Sequence, residues 1–198
     1  MPIDFVAFTA DRRISARVFL ADDRLSDLLN SVSRLVLRDA TVDDLVNGHP
    51  PVVGDLSIPI GDLFVVVGTG PRGSDSPRRR TVQRQVSVGL GRYVVSGALH
   101  LPADDPRLPD GDDPNLVLAG RDVLVPLTGA TVTYDAYEVP TTEAHEAVLV
   151  NRARATWIDV TKDLPVPSEI VVLDEDGPIG RAERQTTYLK DFTNSVVE

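Results

Sequence analysis

The stretch Arg12–Leu20, RRISARVFL, returns in the second half of the chain at Arg92–Leu101 as RYVVSGALHL, with a slip of one residue. In the first stretch apolar and polar side chains alternate, which is the period of a β-strand with one buried face. An acidic turn follows each stretch, ADDRL in the first half and ADDPRL in the second. The pair predicts that one strand-and-turn unit occurs twice in the chain.

Two further matches keep the same order in both halves. Leu37–Val42, LRDATV, parallels Leu127–Val132, LTGATV, and Phe64–Gly68 parallels Ala147–Asn151. Self-similarity at regular spacing is the mark of a repeated supersecondary unit. We interpret the chain as an internal duplication. The alternative is that two β-modules rich in Val, Arg and Asp resemble each other through composition alone.

Most of the chain has a β-like pattern. Short apolar segments are bounded by turn-forming residues, as strands are. They include Ile3–Phe8, Leu35–Leu37, Leu63–Val67, Val86–Leu90, Val123–Val125, Ala130–Tyr134 and Ala155–Val160. One segment has a helical pattern instead, because Leu25, Leu28, Leu29 and Val32 recur at helical spacing, with Ser26 as a candidate N-cap.

Composition narrows the class of protein. The 198 residues are 42% hydrophobic, which is enough for the core of one or two domains. No apolar run approaches the ~18 residues of a membrane span, and the acidic N-terminus shows no signal peptide, so we expect a cytoplasmic protein without a membrane partner. The absence of Cys excludes disulfides and thiolate chemistry. Lys162 and Lys190 are the only lysines, a preference for Arg that suggests a bacterial genome of high GC content.

A polar junction separates the two halves. Gly68–Arg80 is rich in Gly, Pro and Ser and is typical of a linker. A second polar insertion, Pro102–Pro114, predicts a surface loop. We therefore divide the chain into a first repeat at residues 1–70, a linker at 71–83, a second repeat at 84–163 and a C-terminal extension at 164–198.

Three short motifs follow one another in the second repeat: VSVGLGR at Val86–Arg92, SGAL at Ser96–Leu99 and NLVL at Asn115–Leu118. Together they resemble the first motif of the Sm-like family, in which a Gly-Arg turn, a strand carrying Gly and a later apolar strand succeed one another. The resemblance implies small barrels of about five strands, and a homo-oligomer, since such barrels commonly pair their edge strands. The second Sm motif is VNRA here, at Val150–Ala153, so the family's nucleotide-contacting residues do not carry over.

We therefore predict a mainly β protein of two tandem small Sm-like β-barrels, with one short helix and a C-terminal hairpin or tail. Closing a five-stranded meander into a barrel removes its exposed edges. In the tail, Tyr188, Leu189 and Phe192 supply apolar side chains. This tail either packs on its own barrel or docks on a partner.

The basic residues concentrate next to the junction, at Arg78, Arg79, Arg80 and Arg84. Four guanidinium groups are able to neutralise several phosphates of a nucleic acid. They are equally able to pair with acidic loops of the same or a neighbouring subunit. The net charge of -10 disfavours a nucleic-acid partner and favours the second interpretation.

Candidate catalytic and metal-binding clusters are scarce. His49 and His100 stand apart from other candidate ligands, whereas His145 lies between Glu143 and Glu146. Neither this group nor any of the acidic clusters has the spacing of a zinc or calcium site. These clusters lie at residues 43–44, 104–113 and 174–176. We expect solvated turns, with no catalytic residue, metal or cofactor.

The hypothesis that follows is a non-enzymatic scaffold or assembly protein that acts by self-association or by binding a protein partner. The alternative is a single-stranded RNA-binding module that uses the arginines from Arg78 to Arg84. A third is an enzyme or small-ligand-binding protein, which would need polar groups converging in a pocket.

Overall fold

The computed structural model describes residues 2–20, 24–69, 81–102 and 122–161, all within one compact unit. In these ranges the chain is mainly β, which confirms the predicted class. The strands are β1 (Pro2–Phe8), β2 (Arg12–Phe19), β3 (Arg34–Asp44), β4 (Val52–Pro59), β5 (Val65–Thr69), β6 (Thr81–Leu90), β7 (Tyr93–Pro102), β8 (Leu124–Ala136), β9 (Val139–Asn151) and β10 (Trp157–Thr161). Helix α1 (Leu25–Ser31) precedes β3, and 3₁₀ turns at Ile60–Asp62 and Arg152–Arg154 precede β5 and β10.

The described strands form one antiparallel sheet in the order β10-β6-β7-β8-β9-β5-β1-β2-β3-β4. β5 joins the two halves of this sheet because it pairs with β1 on one side and with β9 on the other. The sheet is not closed, and β10 and β4 are its two ends. The predicted pair of separate barrels is therefore not seen. A strand has only two sides for backbone hydrogen bonds, and β5 uses its second side to bind the other half.

Both halves arrange their strands alike, as β5-β1-β2-β3-β4 and β10-β6-β7-β8-β9. Three backbone hydrogen bonds recur at matching positions in the two halves. The bond from Leu63 N to Ile60 O matches the one from Ala155 N to Arg152 O. The bond from Phe64 N to Phe8 O matches the one from Thr156 N to Gly89 O, and the bond from Ile60 N to Ser33 O matches the one from Arg152 N to Val123 O. β4 and β5 therefore correspond to β9 and β10. In these two pairs of strands the residue numbers of matching positions differ by 92, as they do for Ile60 and Arg152.

Of the two further sequence matches, the one between Leu37–Val42 and Leu127–Val132 falls on equivalent backbone positions, and the one between Phe64–Gly68 and Ala147–Asn151 does not. Leu37–Val42 and Leu127–Val132 lie at the same place on β3 and β8, and both segments enter the left-handed region there, with φ of 50° at Asp39 and 53° at Gly129. In contrast, the predicted equivalence of Phe64–Gly68 and Ala147–Asn151 is wrong. These two segments pair with each other, and the counterpart of β5 is β10.

Two hydrophobic clusters fill the two faces of the sheet. The N-terminal cluster contains Ile3, Phe5, Leu37 and Ile58, among others, and the C-terminal cluster contains Val86, Val88, Tyr93 and Val132. β5 contributes to both, because Val66 packs into the N-terminal cluster whereas Val65 and Val67 pack into the C-terminal one. Each such buried side chain contributes about 1.5–3 kcal/mol relative to an exposed one. The two halves therefore share core residues through β5.

Helix α1 confirms the helical pattern with different ends. The residue at the N-cap position is Arg24, which makes no side-chain capping hydrogen bond, and Ser26 instead lies inside the helix. The hydroxyl of Ser26 contacts Asp27, so the predicted N-cap is wrong. Leu29 is the buried residue of the helix and packs into the N-terminal cluster. No helix in the described part of the chain has the length and apolarity to cross a bilayer.

Candidate functional site

Most of the predicted contact residues fall outside the described ranges. Arg78, Arg79 and Arg80, and the tail residues Tyr188, Leu189 and Phe192, all belong to this group. Arg84 is described, and it lies exposed on β6 opposite Leu99 of β7. The arginine cluster and the docking tail therefore stay predictions.

The three histidines lie in separate surroundings. His49 Nδ1 is 3.4 Å from Asp44 Oδ2, His100 Nε2 is 2.7 Å from the Thr128 hydroxyl, and His145 Nε2 is 3.3 Å from Glu143 Oε2. Among the residues that the structure describes, no three His, Asp or Glu side chains gather closely enough to hold a metal ion.

The seam between the halves is the β5–β9 pairing. Val65, Val66 and Val67 of β5 lie opposite Val150, Leu149 and Val148 of β9. All six side chains are buried, so the seam is a continuous part of the core rather than a hinge between two bodies. The apolar run Leu63–Val67 predicts a strand, and Ala147–Asn151 resembles Phe64–Gly68, but the sequence does not indicate that the two segments meet.

Asn151 anchors the end of this seam. It is completely buried, and its backbone N–H donates to Phe64 O over 2.9 Å while its side-chain amide donates to Leu63 O over 2.7 Å. The side-chain oxygen accepts a hydrogen bond from Ala153 N. The amide nitrogen and the amide oxygen thereby each have a hydrogen-bond partner, as a buried polar group requires.

Arg154 adds a charged contact to the same end of the seam. Its Nε donates to Gly61 O over 2.6 Å, and its Nη2 lies 3.1 Å from Asp62 Oδ1. The guanidinium carbon also stands 5.5 Å from the centre of the Phe64 ring, within the range of a cation–π contact. Asp62 and Arg154 occupy matching positions of the two halves, so the seam pairs two equivalent sites that carry opposite charges.

Helix α1 contacts the C-terminal half through Asn30, next to Leu124, the residue of β8 that pairs with Asn151. The Asn30 amide donates to Leu124 O, and its oxygen accepts hydrogen bonds from Val123 N and Leu124 N, all at 3.0–3.1 Å. The start of β8 is thus hydrogen-bonded to a helix of the N-terminal half.

A cluster of polar side chains also crosses the boundary between the halves. The Tyr134 hydroxyl donates to Glu143 Oε1 over 2.5 Å, and Arg13 of β2 lies 3.9 Å from the same carboxylate oxygen. Arg13 also approaches Asp43 at 4.0 Å. Burial, followed by the hydrogen bond with Glu143, raises the pKa of Tyr134 to about 12. The tyrosine thus remains protonated at neutral pH, and the cluster serves to join strands.

The β4 edge is exposed and partly apolar. Val52 and Val53 are each 67% exposed, whereas Ile58 is buried in the N-terminal cluster and Leu56 packs against it. Beside this edge lies a groove of about 430 Å³, whose lining includes Arg12, Val42, Val52 and Leu56. The guanidinium of Arg34 donates to the carbonyl oxygen and to the hydroxyl of Ser57.

The β10 edge carries Trp157, the single tryptophan of the chain, which is 47% exposed. Its indole lies directly against Gly89 of β6, where a Cβ atom would overlap the ring. Ile158 and Val160 pack against the C-terminal cluster, and Asp159 between them is exposed. In the described sheet, β10 and β4 each have one strand neighbour, so each leaves a row of backbone groups for a further strand.

Comparison with protein-family models, with curated proteins and with solved structures found no match for the chain.

Proposed function

We propose that this chain is a non-enzymatic scaffold that acts by self-association, or by binding a protein partner, through the open ends of its sheet. The observation that carries the proposal is the seam: β5 and β9 are edge strands of two similar five-stranded units, and they pair within one chain. A unit of this kind therefore uses its edges for binding, and one edge of each unit is still open in the described sheet.

We further propose that the two units are divergent copies of one Sm-like ancestor. The common strand order, the three recurring backbone hydrogen bonds and the left-handed backbone at both Asp39 and Gly129 support this origin. Composition alone does not account for such agreement, because turn hydrogen bonds and backbone dihedrals depend on position rather than on the abundance of Val or Asp.

The proposal is tested by measuring the mass of the full-length protein by native mass spectrometry and by light scattering over a range of concentrations. We expect assemblies of several chains, or a complex with a protein recovered from the source. A strictly monomeric protein that recovers no protein partner contradicts the scaffold.

The RNA alternative is tested separately by titrating a short single-stranded oligonucleotide at low salt, and a salt-dependent affinity that falls when Arg84 and its neighbours become Ala would support it.

A further inference from the structure

We propose that β10 of one copy pairs antiparallel with β4 of a second copy and so repeats, between molecules, the β5–β9 seam within the chain. This inference rests on the proposed self-association and names the strands that perform it. β10 corresponds to β5, and β4 corresponds to β9. The second copy therefore meets an edge equivalent to one that this chain already binds.

The correspondence predicts the register of the pairing. In the seam, Val65, Val66 and Val67 lie opposite Val150, Leu149 and Val148. When each of these residues is replaced by its equivalent in the other half, the register gives three residue pairs between the two molecules. They are Trp157 with Ile58, Ile158 with Ser57 and Asp159 with Leu56 of the second copy.

The side chains on both edges already face the directions that this register requires. In the seam, Val66 and Leu149 point into one cluster, and the residues on either side of them point into the other. Accordingly, Ile158 packs against the C-terminal cluster of its own chain, and Ile58 and Leu56 belong to the N-terminal side. Trp157 would cover Ile58 and Leu56 of the second copy and lose much of its exposed surface.

Opposite charges meet in the same register. The seam places Val67 in a cluster that also contains Tyr93. The counterpart of Val67 is Asp159, and that of Tyr93 is Arg12, because Arg13 and Val94 pair with the equivalent residues Phe8 and Gly89. Arg12 lines the groove beside Leu56 together with Asp44 and Asp55, and in this register its guanidinium is the group that Asp159 of the other copy would pair with. Asp62 and Arg154, which pair within the chain, are again brought together because each is the counterpart of the other.

The backbone of β4 has the orientation needed for a new ladder. Asn151 directs its N–H at β5, and alternate residues of a strand face alternate neighbours, so the counterparts Pro59 and Ser57 face away from β3. Pro59 has no N–H, so the new ladder lacks the hydrogen bond that Asn151 N makes in the seam, and its first donor on β4 is Ser57 N. Arg34 already donates to Ser57 O, but a carbonyl oxygen accepts two hydrogen bonds, so the N–H of Ile158 is accommodated as well.

The test uses full-length chains, which contain no native Cys. One chain carries Leu56→Cys and the other carries Asp159→Cys, and the two are mixed and oxidised. The two positions form a pair without mutual hydrogen bonds, whose Cα atoms are about 4.5 Å apart, within disulfide range. We expect a disulfide-linked dimer in the mixture and none in either chain alone. A control mixture of Ser57→Cys with Asp159→Cys should lose this dimer, because Ser57 faces the other side of the sheet.

Each result decides a different point. Disulfide-linked dimers formed by the Leu56→Cys variant alone, or by the Asp159→Cys variant alone, would mean that identical edges pair and would overturn the proposal. Native assemblies without any cross-link would also overturn it but leave the scaffold function standing. A monomer at every concentration would overturn both the pairing and self-association. As a check that does not need a variant, Trp157 emission of the native protein should shift to longer wavelength when the assembly is diluted.

Discussion

Asn151 donates its side-chain amide to the carbonyl oxygen of Leu63 over 2.7 Å, and both residues are fully buried where the two halves of the sheet meet. One side chain thus satisfies a carbonyl group that the β5–β9 ladder leaves at its end.

Replacing Asn151 by Ala is expected to lower the free energy of unfolding by about 1–3 kcal/mol, because Leu63 O becomes a buried acceptor without its donor. Urea unfolding followed by circular dichroism measures this loss. The matched control is Asn47→Ala, which removes an exposed contact with Asp44 and should cost less. An equal effect of the two variants would mean that the seam does not depend on the Asn151 amide.

Alkaline pH is expected to destabilise the fold through Tyr134. Its pKa is 10.0 in an unfolded chain and about 12 in the folded one, so both states are neutral below the first value. Between pH 10 and 12 the unfolded state loses its proton more readily, and stability falls as pH rises. Urea midpoints measured across this range should decline less in Tyr134→Phe. An unchanged slope in this variant would show that Tyr134 does not carry the effect.

Acid is also expected to destabilise the fold, through Asp44. Hydrogen bonds from Asn47 and from Val46 N lower its pKa from 3.8 to about 2. The folded state thus favours the carboxylate, and this contribution is present above pH 3.8 and is lost as pH falls to about 2. Asp44→Ala should flatten the pH dependence of stability in this window, whereas Asp135→Ala, a change of an exposed carboxylate on β8, serves as the control.

Replacing Gly89 by Ala should displace the Trp157 indole, because the new Cβ overlaps the ring. We expect the tryptophan emission to move to longer wavelength and the stability to fall by about 1–3 kcal/mol, as in other overpacked sites. Gly61→Ala is the control, since open space surrounds the Cβ position there. If the emission of the Gly89 variant matches that of the native protein, the indole does not lie against β6.

Exchanging the charges at Asp159 and Arg12 tests the contact between molecules. Asp159→Arg brings two cations together across the β10–β4 pairing, and Arg12→Asp brings two anions together, so each single variant should dissociate at a higher protein concentration than the native chain. The double variant restores opposite charges and should recover the native mass in light scattering. Failure of the double variant to recover, with both singles weakened, would show that the two residues do not meet.

Sequence patterns predicted local structure well where a single strand or helix depends on its own residues. Alternation at Arg12–Leu20 corresponds to β2, and the leucine spacing near residue 28 corresponds to α1. The match of LRDATV with LTGATV fell on equivalent positions because both segments need a left-handed residue, Asp39 or Gly129, at the same point. Short-range requirements of this kind leave a trace in the residue types.

The residue types do not indicate which distant strands pair with each other. FVVVG and AVLVN resemble each other because the three central residues of each are buried on both faces of the sheet. Their likeness therefore predicts equivalence, whereas the two segments are paired with each other. The role of Asn151 was equally hidden, since a lone Asn after an apolar run is typical of a turn.

The amino-acid sequence by itself determined the β class, the short helix and the two similar series of strands. Only the tertiary structure decided that β5 of one series binds β9 of the other, and that β4 and β10 form the ends of the described sheet. The physical reason is that every strand presents the same backbone donors and acceptors. The neighbour of an edge strand is therefore selected by the packing of Val66, Leu149 and the residues around them, at long range in the chain.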